Sequence, residues 1–274
     1  MSTNTPLPSL DTVNPFEALR EVMRRLRSPT GGCPWDVEQD FSTIAPYTIE
    51  EAYEVADAIE RNDMSDLREE LGDLLFQVMF HSQMAEEAGH FDVTDVTSAV
   101  IEKMIRRHPH VFEQVDDRSA EAQTKAWESM KAEERAHKGN STETTSALDG
   151  VALALPALLR AEKLQKRAAR TGFDWSDPAP IFDKLEEETE EVREALASGD
   201  QQHIEEEIGD LLFVCANLAR RLDVDPELAL RKANAKFERR FKAMETRSTT
   251  AGGAFDTLDL AAQEILWTEV KAEE

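Results

Sequence analysis

Only two cysteines, Cys33 and Cys215, occur in 274 residues, and they form neither a CxxC pair nor a zinc-ligand spacing. A disulfide scaffold and a structural zinc site are thereby excluded, and a reducing, cytoplasmic setting is expected. No apolar run approaches the length of a membrane span, and the opening MSTNTPLPSL lacks the basic and apolar regions of a secretion signal. Basic residues are also scarce: 31 Lys and Arg stand against 56 Asp and Glu, a formal charge of −25. So acidic a surface repels a nucleic-acid backbone, which argues against duplex binding. It repels a phosphate ester too, unless a cation or a local Lys/Arg cluster intervenes. Strand formers are sparse, whereas Ala, Leu, Glu, Lys and Arg dominate, so the composition is helix-forming.

Against that background one feature is written twice. EELGDLLFQV runs from Glu69 to Val78 and EEIGDLLFVC from Glu206 to Cys215, an offset of 137. The same offset places Glu51 over Glu188, Glu54 over Glu191, Glu70 over Glu207 and Asp73 over Asp210. All four tryptophans pair as well, Trp35 with Trp175 and Trp127 with Trp267, each 140 apart. A duplication is the economical reading. It predicts a disordered tail over 1–15, one unit over 16–137, a polar linker over 138–150 and a second unit over 151–274.

Each unit reads as consecutive amphipathic helices, an all-α bundle of two homologous units. In the first, FEALREVMRRLR has helical spacing, and SPTGGCPWD interrupts it. Thr48, with Glu51 three residues on, suggests a capping box for the next helix; Ser65 suggests the cap of the one after, and Gly89 its end. A further helix stops near Pro109, and AQTKAWESMKAEER closes the unit. LLFQVMF is apolar nearly all round and should be covered from several sides, which points to a homodimer.

The acids carry the chemistry. Glu51 and Glu54 are three apart and share a helix face, as do Glu70 and Asp73. A lone ExxE is weak evidence in so acidic a chain, but here two pairs keep a fixed separation, recur, and drive an Asp into an apolar helix. If the two helices are antiparallel neighbours, four carboxylates converge, and each disfavours the charge of the others. A hard divalent cation resolves the repulsion, and all-oxygen ligands suit Mg²⁺ or Mn²⁺. Gly72 and Gly209, helix-interior glycines that cost about 1 kcal/mol each, suggest close approach by a facing helix or a ligand. Lys236, Arg239 and Arg240 in KANAKFERRF form a cationic cluster suited to phosphate oxygens. The three most tempting histidines, His81, His108 and His110, read as structural.

GGCPWDVEQDF, EEAYEVADAI, EELGDLLFQV and RRHPHVF, with GFDW, EEIGDLLF and KANAKFERRF in the second unit, resemble tandem-domain members of the MazG family. The resemblance covers nearly the whole chain. It implies an all-α nucleoside triphosphate pyrophosphohydrolase fold and magnesium-dependent cleavage to monophosphate and pyrophosphate. Glu188, Glu191, Glu207 and Asp210 would be metal ligands and catalytic residues, with Glu51, Glu54, Glu70 and Asp73 as their counterparts. Lys184, Lys236, Arg239 and Arg240 would contact phosphates, with Glu187 and Asn234 also among the substrate-binding residues and Trp267 near the nucleotide. Unit 1 departs from the pattern where Ile101 faces Asn234, which shifts the weight of catalysis to unit 2. Two other readings compete: a di-iron carboxylate bundle built on Glu87–His90 and Glu134–His137, and a non-catalytic helical scaffold or nucleotide sensor.

Overall fold

The computed structural model of the protein describes residues 14–112, 119, 123, 130 and 146–273. The helix expected around Trp127, the Glu134–His137 pair, the expected linker over 138–145 and the tail over 1–13 lie outside the described residues. Among those described, regular structure is helical throughout. The chain divides into two compact units, Met1–Lys138 and Gly139–Glu274.

In the first unit α1 (Pro15–Leu26) begins at an Asn14 cap that accepts from the Phe16 amide. A short α2 (Pro34–Glu38) leads into α3 (Phe41–Arg61) and α4 (Met64–Glu87), followed by α5 (Val93–Arg107) and α6 (Pro109–Phe112). The turn between α3 and α4 is only Asn62 and Asp63. Asn62 takes the left-handed conformation at φ 56°, which its short polar side chain tolerates, and Asp63 caps α4. So tight a turn forces α3 and α4 into an antiparallel hairpin. Both α1 and α5 pack on α4. The core between them consists of Met23, Ile44, Met79, Phe80, Met84 and Val93.

Two expected caps move. Helix α3 starts at Phe41, seven residues before Thr48, behind an Asp40 cap that makes the capping box with Thr43. Thr48 lies mid-helix, where its hydroxyl meets the Ile44 carbonyl and His81 Nε2. Asp63, rather than Ser65, caps α4 and accepts from the Ser65 and Asp66 amides. Gly89 does end α4, at φ 73°, and α5 stops at a His108 C-cap just before Pro109.

The second unit comprises α7 (Ala157–Ala169), α8 (Ala179–Ser198), α9 (Gln201–Arg221), α10 (Pro226–Thr250), a 3-10 turn (Phe255–Thr257) and α11 (Leu260–Ala272). Helices α8 and α9 repeat the antiparallel hairpin, with Gly199 at φ 70° in the turn and Asp200 as the α9 cap. α7 packs on α9 and α10, and α10 on α11. Its buried positions are mostly small, Ala161, Ala195, Val214 and Ala216 among them.

The apolar run of α4 is covered within the chain on one side only. Phe80 is 1% exposed, yet Leu71 is 50% exposed, and Leu75 and Val78 also face outward. In α9 Ile208, Leu212 and Phe213 are likewise exposed. The expected close approach at Gly72 and Gly209 is not made by any helix among the described residues. A Cβ added at either would meet nothing within 4 Å.

Candidate functional site

The hairpin geometry does what the spacing of the acids requires. Glu188 from α8 meets Glu207 and Asp210 from α9, and one oxygen from each lies within 4.8 Å of the others. Unit 1 gathers Glu51, Glu70 and Asp73 to the same tolerance. Glu191 and Glu54 stand outside these trios but within electrostatic reach. Burial first, and then the charge of Glu188, pushes the Glu191 carboxyl up from its ordinary value. Burial followed by Asp73 and Glu54 raises Glu51, and burial followed by Glu54, Asp66 and Asp73 raises Glu70. Burial first, and the charge of neighbouring acids second, opposes ionisation at Glu51, Glu70 and Glu191, and oxygen donors gathered in this way fit a hard divalent cation.

The surroundings of the two clusters differ. Glu188 is 4% exposed, and its Oε1 lies 2.7 Å from Lys184 Nζ, which also holds Glu187 at 2.8 Å. These two carboxylates push the Lys184 ammonium above its usual range. His203 Nε2 lies 3.1 Å from Glu207; its place on the outer face of α9 gave no sequence signal. In unit 1 the amide of Gln77 donates to Glu51 at 3.3 Å.

Lys184, Glu188 and Asp210 also form one wall of a cavity of about 750 Å³ within unit 2. Apolar side chains line most of the rest, with Phe173 and Trp175 from the loop before α8 and Phe213 from α9. Arg220 donates to Asp174 at 3.1 Å and to Asn217 Oδ1 at 2.7 Å, and this pairing holds the Asp174 carboxyl below its ordinary value.

Asn234, Lys236, Arg239 and Arg240 lie on α10, and none of them lines this cavity. Arg240 instead sits 5.4 Å over the Trp267 ring, which also packs on Phe237 at 5.6 Å. The histidines have structural roles: His81 stacks on Phe41 and bonds Thr48, and His108 Nδ1 bonds the Met104 carbonyl. Glu87 is engaged by Arg27 at 2.8 Å, and His90 lies beyond the Gly89 turn, so the first ExxH pair builds no iron site. Cys215 is exposed rather than packed.

Two antiparallel helical hairpins, each presenting carboxylates crowded enough to call for a cation, define an all-α carboxylate-cluster protein in tandem. The sequence profile of the MazG nucleotide pyrophosphohydrolase domain matches residues 39–112 and 177–244, the two hairpins and their flanks. The chain belongs to the MazG family. It is 50% identical over 266 residues to the nucleoside triphosphate pyrophosphohydrolase of Escherichia coli strain K12, covering 96% of this chain and 99% of the relative. It is 43% identical over 256 residues to the nucleoside triphosphate pyrophosphohydrolase/pyrophosphatase MazG of Thermotoga maritima, covering 93% and 95%.

Proposed function

We propose that the protein hydrolyses nucleoside triphosphates, with broad base tolerance, to the monophosphate and pyrophosphate, and that unit 2 does the chemistry. The observation that carries this reading is the trio Glu188, Glu207 and Asp210, two of which line a cavity of about 750 Å³ together with Lys184, whose Nζ lies 2.7 Å from Glu188. Together with Glu191, these acids would hold Mg²⁺, which Mn²⁺ can replace. When bound, the cation neutralises phosphate oxygens and supplies the charge that an acidic surface otherwise denies the substrate. Lys184 then reaches across to the phosphates it now faces from Glu188. Glu191, which stands outside the tight trio, would take a proton from the attacking water.

Lys236, Arg239 and Arg240, with Glu187, Asn234 and Trp267, complete the substrate shell, the cations as charge-assisted donors to phosphate. Their absence from the cavity wall favours a homodimer. The exposed apolar residues of α9 and α10, Leu212, Phe213, Phe237 and Phe241, are the surface a second copy would cover, and such packing would carry the α10 cations to a site. Unit 1 keeps Glu51, Glu54, Glu70 and Asp73 as a candidate metal site, with Tyr47 at the position that Lys184 holds in unit 2. A cytoplasmic place in nucleotide-pool house-cleaning follows from this chemistry, without nucleic acid or membrane as partner; no helix among the described residues is long and apolar enough to cross a membrane.

The test is to incubate the pure protein with each triphosphate, with and without Mg²⁺, and identify the products. Monophosphate with pyrophosphate, released only with the metal, is expected. Orthophosphate with diphosphate, or no turnover, would refute the reading. Glu191→Gln should abolish release, while Glu54→Gln should leave it standing.

A further inference from the structure

Phe173 and Trp175 lie in the short connection between α7 and α8, and both line the cavity of unit 2. Phe173 is 83% exposed and Trp175 is 41% exposed, so burial of these rings contributes little to holding the connection in place. The Phe173 amide bonds the Ala168 carbonyl, which ties the start of the connection to α7. Two arginines from the last turn of α9 hold the rest. Arg220 Nη1 donates to Asp174 Oδ2 at 3.1 Å and Nη2 to Asp174 Oδ1, a fork matched to a carboxylate. Nε and Nη2 also donate to Asn217 Oδ1, at 3.2 and 2.7 Å. Arg221 Nη2 donates to the Ser176 carbonyl at 2.8 Å. The Arg220 side chain is 9% exposed and that of Asp174 20%, so solvent screens this pair far less than an ion pair on the open surface.

The repeat supplies an independent observation. In the register of the tryptophans, 140 residues apart, Asp174 falls over Pro34. In the register of the acids, 137 apart, Arg220 falls over Gln83. Both members of the pair are therefore absent from unit 1. There Gln83 Nε2 donates to Glu87 at 3.2 Å, and Arg27 holds the corresponding stretch by another route, through the carbonyls of Asp36 and Gln39. The Asp174–Arg220 pair goes with the copy in which it lines a cavity together with Lys184.

Asp210 and Arg220 stand on one unbroken helix, ten positions apart, which is ~15 Å along its axis. A helix is a stiff spacer over that length, so a loop fixed to Arg220 is fixed relative to the acids as well. We propose that Asp174 and Arg220 are positioning residues: their pair latches the loop from Gly172 to Ser176 to the end of α9, and so presets the wall that Phe173 and Trp175 give to the substrate cavity. A loop ordered before the substrate arrives spares the cost of ordering it during binding. The pair touches no reacting group, so its contribution lies in substrate affinity and not in the chemical step. The inference rests on the triphosphate reading above and adds to it the two residues that hold its cavity in shape.

Asp174→Asn is the first variant, since it keeps the size of the side chain and loses the charge and one of the two acceptors. Arg220→Gln removes the fork from the other side. Either should raise KM for a nucleoside triphosphate by ~10-fold with kcat within about twofold. The double variant should be no worse than the poorer single one, because both remove the same contact. Chymotrypsin cleavage after Phe173 or Trp175, located by mass spectrometry without substrate, should quicken by ~5-fold or more in each variant, since a released loop opens locally. Cleavage after Phe237, which is exposed on α10 of the same unit, should keep its wild-type rate. A role in the stability of unit 2 alone would speed both cleavages and leave KM in place. That result, a fall in kcat as large as the rise in KM, or additive losses in the double variant would overturn the inference. So would an Asp174→Asn protein unchanged in KM and in loop cleavage, and this variant decides if Arg220→Gln fails to fold. A wild-type protein that releases no pyrophosphate from a triphosphate would instead overturn the proposed function, so the two can be told apart.

Discussion

The two units keep the same acids on the same hairpin and differ in almost everything around them. In unit 1 Tyr47, four residues before Glu51 on the same helix, packs its ring edge-on to Trp35 at 6.1 Å. In unit 2 Lys184 holds the position of Tyr47, 137 residues on. Phe80 is replaced by Asn217 and Gln77 by Val214 at the same offset. At this position unit 1 is packed core, with Phe80 under the Arg27 guanidinium at 5.2 Å, whereas in unit 2 Asn217 lines a cavity. Gathering carboxylates needs only a tight turn and two i,i+3 pairs, so it survives divergence easily. The lysine and the cavity lining of unit 2 are set by other positions, Lys184 and Asn217 among them, and at these the two copies differ.

The sharpest break of this comparison is to neutralise the same acid in each unit. Asp210→Asn should lower kcat/KM by ~10³-fold, the scale on which loss of a preorganised charge interaction is felt. Asp73→Asn should leave kcat/KM within about threefold. Comparable losses in both would mean that both units turn over substrate. The next effect is structural and reverses the units. Phe80→Ala should cost about 3–5 kcal/mol of unfolding free energy, as expected for a buried ring removed from a packed core, whereas Asn217→Ala, at the edge of an open cavity, should cost much less. Denaturant unfolding of the two variants checks the difference. Smaller again is Lys184→Met. It should raise KM by ~10-fold with kcat less affected, since the side chain positions phosphate rather than reacts. A fall in kcat alone would assign Lys184 to the chemical step.

The acids were readable in the sequence because a repeated ExxE with a distant ExxD has a direct geometric meaning once two helices are joined by a short turn. The caps were less so. Thr48 with Glu51 imitated a capping box. The helix runs through Pro46, because Asp40 and Thr43 close its end earlier and tertiary packing outweighs one missing backbone bond. The cavity could not be read at all. Gln165 and Asn217 come from two helices and belong to none of the motifs quoted, and Phe173, though part of GFDW, gave no sign that it lines a cavity. Only the repeat carried a hint, in the exchange of Phe80 for Asn217.

The last distinction between the units is electrostatic. Glu51 and Glu70 are both raised by burial and by acids close by, and unit 1 has a tyrosine where unit 2 has Lys184. A carboxyl whose folded pKa lies above its unfolded value is ionised less readily in the folded state. Well below the ordinary value of 4.5 it is protonated in both states and contributes nothing. As pH climbs through 4.5 and past the raised folded value, the folded state must carry a charge it resists, and stability falls. Metal-free protein should therefore lose stability from about pH 4.5 upward through these groups, and Glu51→Gln should raise the metal-free melting temperature at pH 7 more than at pH 4. Added Mg²⁺ should reverse the loss, with a gain in melting temperature that grows over the same interval as protons leave the ligands. At the unit 2 cluster Lys184 already offsets part of the repulsion, so Glu188→Gln should bring no such metal-free gain. Melting curves of both variants against pH, with and without Mg²⁺, separate the cases, and equal metal-free gains would show that the lysine does not make the difference.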